Sequence, residues 1–318
     1  MTAAKQRDRL VENIRQMYNE LCEEIGKLMR GKLKKDEPMS GHTSLRIGGP
    51  ADIWAVPRTL KDLFALLDLC ERSEFPYMIL GHGTNLLVRD GGIRGVVISL
   101  NDACASLDPN KGQIAAGAGV SLNALVKFAA QRGLQGLEFF IGIPGCVGGG
   151  LVANAGAWGK SLGDAVKSVA IYDPKKRQIK RLEKDEIKFG YRESNLASFG
   201  VILEAEFAVK EDEPEAIFAR MKEYLARRAD SQPVGFKSAG CIFKNPPVSP
   251  AGQLIDALGF KGYICGGAMV SDIHANFIVN TGFATAADVL AIMAEIKGRV
   301  RSATGIDLEE EIEVVGKD

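Results

Sequence analysis

The chain has 318 residues, 46% hydrophobic and 25% charged, with 40 Lys+Arg against 40 Asp+Glu. That length suits about two domains, or three small ones, and the zero net charge argues against a nucleic acid or an anionic membrane as the main partner. Six scattered cysteines form no C-x-x-C pair and have no zinc spacing, so no metal site is expected and a reducing compartment fits. The first residues lack the apolar core of a signal peptide and no apolar run approaches ~20 residues, so the expected location is the cytoplasm.

In chain order, Leu10, Ile14, Met17, Leu21, Ile25 and Leu28 recur at helical spacing and predict an amphipathic helix packed on the body of the protein. Residues 31–38 read as a charged connector. Strands are expected at Asp52–Val56, Met78–Leu80, Gly95–Leu100 and Gln113–Gly117, with helices opened by the Thr59 capping box and by Ser121. Further strands are expected at Val166–Tyr172, Gln178–Leu182 and Val201–Val209. A composition shift at Lys210–Glu215 suggests a boundary. Beyond it come helices at about 215–229 and 253–258, a strand at Asn276–Val279, a helix opened by Thr285 and a closing strand over 308–315. The pattern is that of an α+β protein with mixed sheets.

Two glycine-dense segments stand out, Leu80–Val88 and Ile141–Gly159. With few side chains, the second is not expected to pack a core. Instead, bare backbone N–H groups can approach something flat or negatively charged, and a dinucleotide fits best. Neither segment is a P-loop, since G-x-x-x-x-G-K-[ST] is absent. Nor is Gly81-His82-Gly83 a Rossmann turn, because strand-like Leu86–Val88 follows it rather than a helix.

Six blocks resemble those of the UDP-N-acetylenolpyruvoylglucosamine reductase (MurB) family, in its type II form. They are Thr43–Asp52, Leu80–Val88, Ile143–Gly149 with Asn154–Ala157, Gly190–Ser194, Ser238–Pro246 and Gly305–Ile312, in family order over about residues 40–315. The resemblance implies a PCMH/vanillyl-alcohol-oxidase-type FAD-binding fold of two subdomains plus a C-terminal α+β substrate domain. The expected divisions are 1–35 for an N-terminal helical extension, 36–105 and 106–212 for the two FAD-binding subdomains, and 213–318 for the substrate domain. It further implies non-covalent FAD, NADPH as co-substrate and reduction of a UDP-sugar enolpyruvyl ether in peptidoglycan precursor synthesis. A monomer is expected.

By the same resemblance, Arg192, Cys241 and Glu311 are the catalytic positions. Arg192 would stabilise the enolate that follows hydride addition, its planar fork suiting a carboxylate. Glu311, in an acidic run that could instead be a solvated edge, would polarise the enolate or orient Arg192. Cys241 stands where most relatives carry Ser, and would supply the proton. A thiol there predicts sensitivity to alkylation, and loss of the neutral acid if its pKa falls beside Arg192. The implied cofactor positions are Thr43, Arg46, Ile47, Gly48, Gly81, Gly83, Thr84, Asn85, Leu86, Gly142, Ile143, Pro144, Gly145, Gly148, Gly149, Asn154, Ala155 and Gly156. The implied substrate positions are Lys244, Asn245, Gln253 and His274, His274 being equally well a structural histidine. Arg227, Arg228 and Lys237 would suit a diphosphate, although a solvated face is the commoner cause of such residues. Two rival functions stay open: a flavin oxidase of the same superfold, with FAD linked to His82, and a sugar-nucleotide-binding protein without turnover.

Overall fold

The computed structural model describes residues 3–318, with side chains from Gln16 onward. Three sheets organise the chain. The first has the order Gly31–Pro38, Pro50–Pro57, Ile93–Ser99, Tyr77–Leu80, antiparallel at the first pairing and parallel at the other two. Helix Leu60–Arg72 carries the chain from Pro50–Pro57 to Tyr77–Leu80, which flank Ile93–Ser99 on either side, and the Thr59 capping box opens that helix as expected. The second sheet is antiparallel throughout, in the order Gln178–Glu183, Val166–Asp173, Val201–Ala208, Gln113–Gly117, Leu107–Asn110. The third joins Ser238–Cys241, Phe277–Asn280, Ala268–Val270 and Ile264–Cys265.

One hydrophobic core runs through the first and second sheets, and a separate core fills the C-terminal lobe under helix Ala286–Thr304. Helix Pro214–Ser231 sends Ile217 and Met221 into the first core, so its packing ties it to the preceding sheets. Leu45, Ile47 and Leu87, which flank the glycine loop, are buried in the C-terminal core.

Four expectations need correction. The supposed connector 31–38 is a full edge strand paired from Gly31↔Pro57 to Pro38↔Pro50. Its lysines and acids suit an edge, where charge discourages further pairing. Gly31, at φ 148°, begins it where any Cβ would strike the Val56 carbonyl. The N-terminal helix, Ala3–Leu28, buries Leu21 and Ile25 but exposes Met17 and Leu28. Its inner stripe runs Tyr18, Leu21, Cys22, Ile25 and on to Met29, a different phase of the same period; Leu10 and Ile14 lie outside the described side chains. Of residues 308–315 only Glu313–Val315 pair as a strand, parallel to Leu86–Val88. The preceding residues serve the C-terminal core through Leu308 and Ile312. Finally, the second glycine segment does pack a core. Ile141, Val147 and Leu151 are buried, and residues 147–152 form a short helix.

The lobes are joined by specific polar contacts. Asp90, at the end of the first lobe's loop, accepts from Ala286 N at 2.9 Å and Ala287 N at 3.1 Å, capping the helix of the other lobe. Asn280 donates to the Leu45 carbonyl at 3.0 Å, and Ser44 Oγ to the Ser238 carbonyl at 2.7 Å. Asp90→Ala removes an anionic cap from a helix N-terminus, at roughly 1 kcal/mol and ~2 °C in Tm. Hydrogen exchange at Ala286 and Ala287 should quicken with it; unchanged protection there would show that the cap carries no weight.

Candidate active site

The two glycine segments meet. Loop 81–85 leaves the strand Tyr77–Leu80, and Thr84 Oγ1 donates to the Pro144 carbonyl at 3.4 Å. A Cβ on Gly145 would lie 3.0 Å from that hydroxyl, one on Gly81 would press into Cys146 Sγ, and one on Gly83 into the His42 carbonyl. Gly83 also holds φ at 59°. Among the described residues no protein acceptor meets the backbone N–H groups of Gly83, Thr84 and Asn85. Consecutive free donors on a glycine turn favour an anion such as a diphosphate. Beside them lies a cavity of about 270 Å³ lined by His42, Thr43, Ser44, Arg46, Gly81 and His82. Bare backbone, free donors and adjoining space fit a dinucleotide such as FAD. His82 lines this cavity with its basicity lowered by burial.

Other predicted cofactor positions are placed more variously. Thr43 closes its own turn, donating to the Ile47 carbonyl at 2.8 Å and accepting from Ile47 N. Ile47 and Leu86 are buried, Gly48 lies tight against Val88 and Met39, and Arg46 donates to the Gly41 carbonyl. Gly142 N–H is held by Asn123 Oδ1 at 2.7 Å, a partner with no signal in the sequence pattern. Ile143 is nearly buried and Pro144 is exposed. Gly148 and Gly149 belong to the short helix, and Gly148 donates to the Ala118 carbonyl at 2.8 Å, which suits close packing on the neighbouring strand. Asn154 spends both ends of its amide, donating to the Gly190 carbonyl at 2.7 Å and accepting from Gly163 N at 3.0 Å. Ala155 N donates to the Gly150 carbonyl. Gly156 offers its carbonyl to Arg192.

The three predicted catalytic side chains come together from three distant segments. Arg192 occupies the two-residue turn of the hairpin Phe189–Gly190/Glu193–Ser194 at φ 61°, a conformation that costs a non-glycine residue energy. Its Nη1 donates to the Gly156 carbonyl at 3.1 Å. Its Nε lies 2.8 Å from Glu311 Oε1, yet the N–H is not aimed at that oxygen. The contact is therefore an ion pair that leaves a buried donor free. Glu311 is clamped at its backbone: its N–H donates to the Ile242 carbonyl at 2.8 Å, and its carbonyl accepts from Asn85 Nδ2 at 2.9 Å. Asn85 thus joins the glycine loop to the acidic residue, a role sequence reading missed.

Burial raises the Glu311 pKa, and Arg192 only partly offsets it. Cys241 ends the strand Ser238–Cys241 with part of its surface open but its thiol enclosed by protein. Burial, then repulsion from Glu311, pushes its pKa up to about 12, against the pull of Arg192 and Arg228. The shift runs opposite to the one that would cost the neutral acid, and a buried neutral thiol is expected to resist alkylation. Near neutral pH the thiolate fraction should therefore lie well below that of a free cysteine. Iodoacetamide should barely label Cys241, as read by peptide mass spectrometry; labelling at the rate of a free thiol would contradict the buried, neutral thiol.

Among the predicted substrate positions, Lys244 Nζ pairs with Glu309 at 2.5 Å, which raises the lysine pKa. Asn245 Oδ1 accepts from Ala251 N, capping the helix Ala251–Ala257, and Gln253 is exposed on that helix. His274 Nδ1 accepts from Asn276 N at 3.1 Å, and burial lowers its pKa, so the ring is neutral with its proton on Nε2. Arg228, offered as a diphosphate contact or a solvated cation, lies half-buried against Gly142. Among the described residues no group of three or more His, Cys, Asp or Glu could hold a metal, and no helix is long and apolar enough to cross a membrane.

The arrangement matches known proteins. Residues 232–315 match the UDP-N-acetylenolpyruvoylglucosamine reductase, C-terminal domain, and residues 51–180 match an FAD binding domain. A UDP-N-acetylenolpyruvoylglucosamine reductase of Geobacter metallireducens is 46% identical over 307 residues, 95% of this chain and 100% of that protein. One of Geotalea uraniireducens is 44% identical over 290 residues, 91% of this chain and 96% of that protein. The crystal structure of the MurB reductase of Thermus caldophilus superposes with a TM-score of 0.77 at 39% identity, covering 90% of this chain and 99% of the other. With catalytic-type residues, glycine cradle and both domain matches on one chain, the protein belongs to the UDP-N-acetylenolpyruvoylglucosamine reductase family.

Proposed function

We propose that the chain reduces UDP-N-acetylglucosamine enolpyruvate to UDP-N-acetylmuramate with NADPH as electron donor and FAD as carrier, in peptidoglycan precursor synthesis. The observation that carries this reading is the convergence of Arg192, Glu311 and Cys241 beside the glycine cradle. FAD, when bound, supplies a hydride to the terminal carbon of the enolpyruvyl group. Backbone donors of Gly83, Thr84 and Asn85 would hold the cofactor's diphosphate. Negative charge then develops on the neighbouring substrate carbon and its carboxylate. Arg192 stabilises that enolate, and Glu311 orients the guanidinium. Cys241 transfers its thiol proton to the carbanionic carbon, completing the lactyl ether. A thiol held neutral by burial is ready for that role.

The C-terminal lobe, after helix Pro214–Ser231, would bind the sugar nucleotide, with Lys244, Asn245, Gln253 and His274 facing it. The resemblance to the family is the ground for proposing a monomer, which sedimentation would check. The free cysteines and the nucleotide-sugar substrate support a cytoplasmic site of action.

An anaerobic absorbance experiment tests this reading. NADPH should bleach the flavin band of the holoenzyme, and UDP-N-acetylglucosamine enolpyruvate should restore it. A bleached enzyme that does not recolour would point to a different acceptor, and a chain that takes up no FAD would remove the enzyme reading altogether.

A further inference from the structure

Among the described residues, two buried side-chain polar atoms lack any hydrogen-bond partner: Arg192 Nε and Arg228 Nε. The first belongs to the catalytic-type arginine. The second carries the same signature on Arg228, which the sequence offered only as a diphosphate contact or a solvated cation. Arg228 lies near the end of helix Pro214–Ser231, with Cδ and Nε against the face of Gly142, where a Cβ would come within 3.1 Å and 3.2 Å of them. Its Nη1 donates to Gln232 Oε1 at 2.6 Å, and among the described residues no carboxylate pairs with it.

The free donors define an edge. With Nη1 occupied, Arg228 keeps Nε and Nη2 open, the two parallel N–H groups that grip a carboxylate side-on. The corresponding edge of Arg192 is already contested, because Glu311 lies 2.8 Å from its Nε. A carboxylate entering there would have to displace Glu311 or accept single-sided contact. Both guanidinium groups and the Glu311 carboxylate lie close enough to the Cys241 thiol to act on its charge, so among these three groups one positive charge has no counterpart. Leaving a guanidinium partly desolvated and unpaired is costly, and an incoming anion removes that cost.

We propose that Arg228 is the docking residue for the carboxylate of the substrate's enolpyruvyl group, gripping it side-on through Nε and Nη2 while Arg192 and Glu311 act on the enolate. The inference rests on the substrate proposed above. It divides labour between the two arginines: Arg228 binds the permanent charge, and Arg192 meets the charge that develops during reaction.

The test compares two ligands on the oxidised holoenzyme, each titrated through the flavin absorbance change. One is UDP-N-acetylglucosamine enolpyruvate; the other is UDP-N-acetylglucosamine, which lacks the carboxylate. Arg228→Met should weaken the first by about 30- to 1,000-fold and the second by less than about 3-fold. Arg228→Lys, which keeps charge but not the fork, should recover part of the loss and guards against a folding defect in the methionine variant. Equal weakening of both ligands would assign Arg228 to the nucleotide or to structure and overturn the proposal. Unchanged binding of both would overturn it too, as would a shifted flavin midpoint potential with ligand discrimination intact. If the wild-type holoenzyme bound both ligands equally, the substrate reading would fall, and this inference with it.

Discussion

Cys241→Ala leaves reduction of the flavin by NADPH fast and slows its reoxidation by substrate by about 10²- to 10⁴-fold, the usual span for loss of a positioned general acid. The asymmetry is the point. Hydride transfer from NADPH needs no proton at the substrate carbon, whereas the second half-reaction does. Cys241→Ser should keep much of the activity, because a hydroxyl at the same strand end can donate to a carbanion whose basicity exceeds that of either acid. The structure strengthens this expectation: burial and Glu311 push the thiol up to about 12, so the native acid is already weaker than a phenol and stays neutral through the physiological range. Stopped-flow absorbance resolves the two half-reactions separately. Equal slowing of both in Cys241→Ala would place the side chain in structure or cofactor binding instead.

Arg192→Met gives the second large effect, a loss of about 10³-fold in substrate turnover with a stability change that depends on pH. Catalytically, the enolate loses its fixed cation at the moment charge appears. Structurally, Glu311 is left enclosed without its ion-pair partner, a cost of about 3 kcal/mol where such pairs are broken one-sidedly. The sign follows from the direction of the Glu311 shift. Burial raises its pKa in the folded chain above the ordinary glutamate value, so in that window the folded state binds more protons than the unfolded one. Stability from this group is therefore present at low pH and lost as pH rises through the folded pKa. Removing Arg192 raises that pKa further and deepens the loss above it. Arg192→Met/Glu311→Gln should recover most of the stability near neutral pH but none of the turnover, a separation that thermal melts and steady-state rates measure together. If the double variant melts as low as the single one, the ion pair does not carry the coupling.

Much of the architecture could be read from the chain itself, because it depends on neighbours a few residues apart. Thr59 and Thr285 cap helices because each is followed three residues later by an aspartate that completes the box. In the second sheet Val201–Ala208 alternates along its second half, while Val166–Asp173 is buried almost throughout and Gln178–Glu183, at the edge, is mostly exposed; the bounds of all three differ from expectation by only a residue or so. The edge strand 31–38 escaped because its charged, half-exposed pattern is that of a loop; only pairing with Pro50–Pro57 makes it a strand. The chemistry divides in the same way. The identities Arg192, Cys241 and Glu311 stand in the sequence, and so do the glycine-rich segments upstream of them. Burial, partner and pKa do not, because each is set by atoms scores of residues distant in the chain. Arg192 comes from a hairpin turn, Cys241 from a strand end and Glu311 from a segment fixed on one side by Ile242 and on the other by Asn85. The same holds for Arg228, which looks like any helix-surface cation until the fold lays Gly142 across it and leaves its guanidinium without a counter-ion. Residue types and local elements were determined by sequence alone; which charges meet, which are stripped of water and which donors stay free were decided only by tertiary structure, since electrostatic energy depends on surroundings assembled from the whole chain.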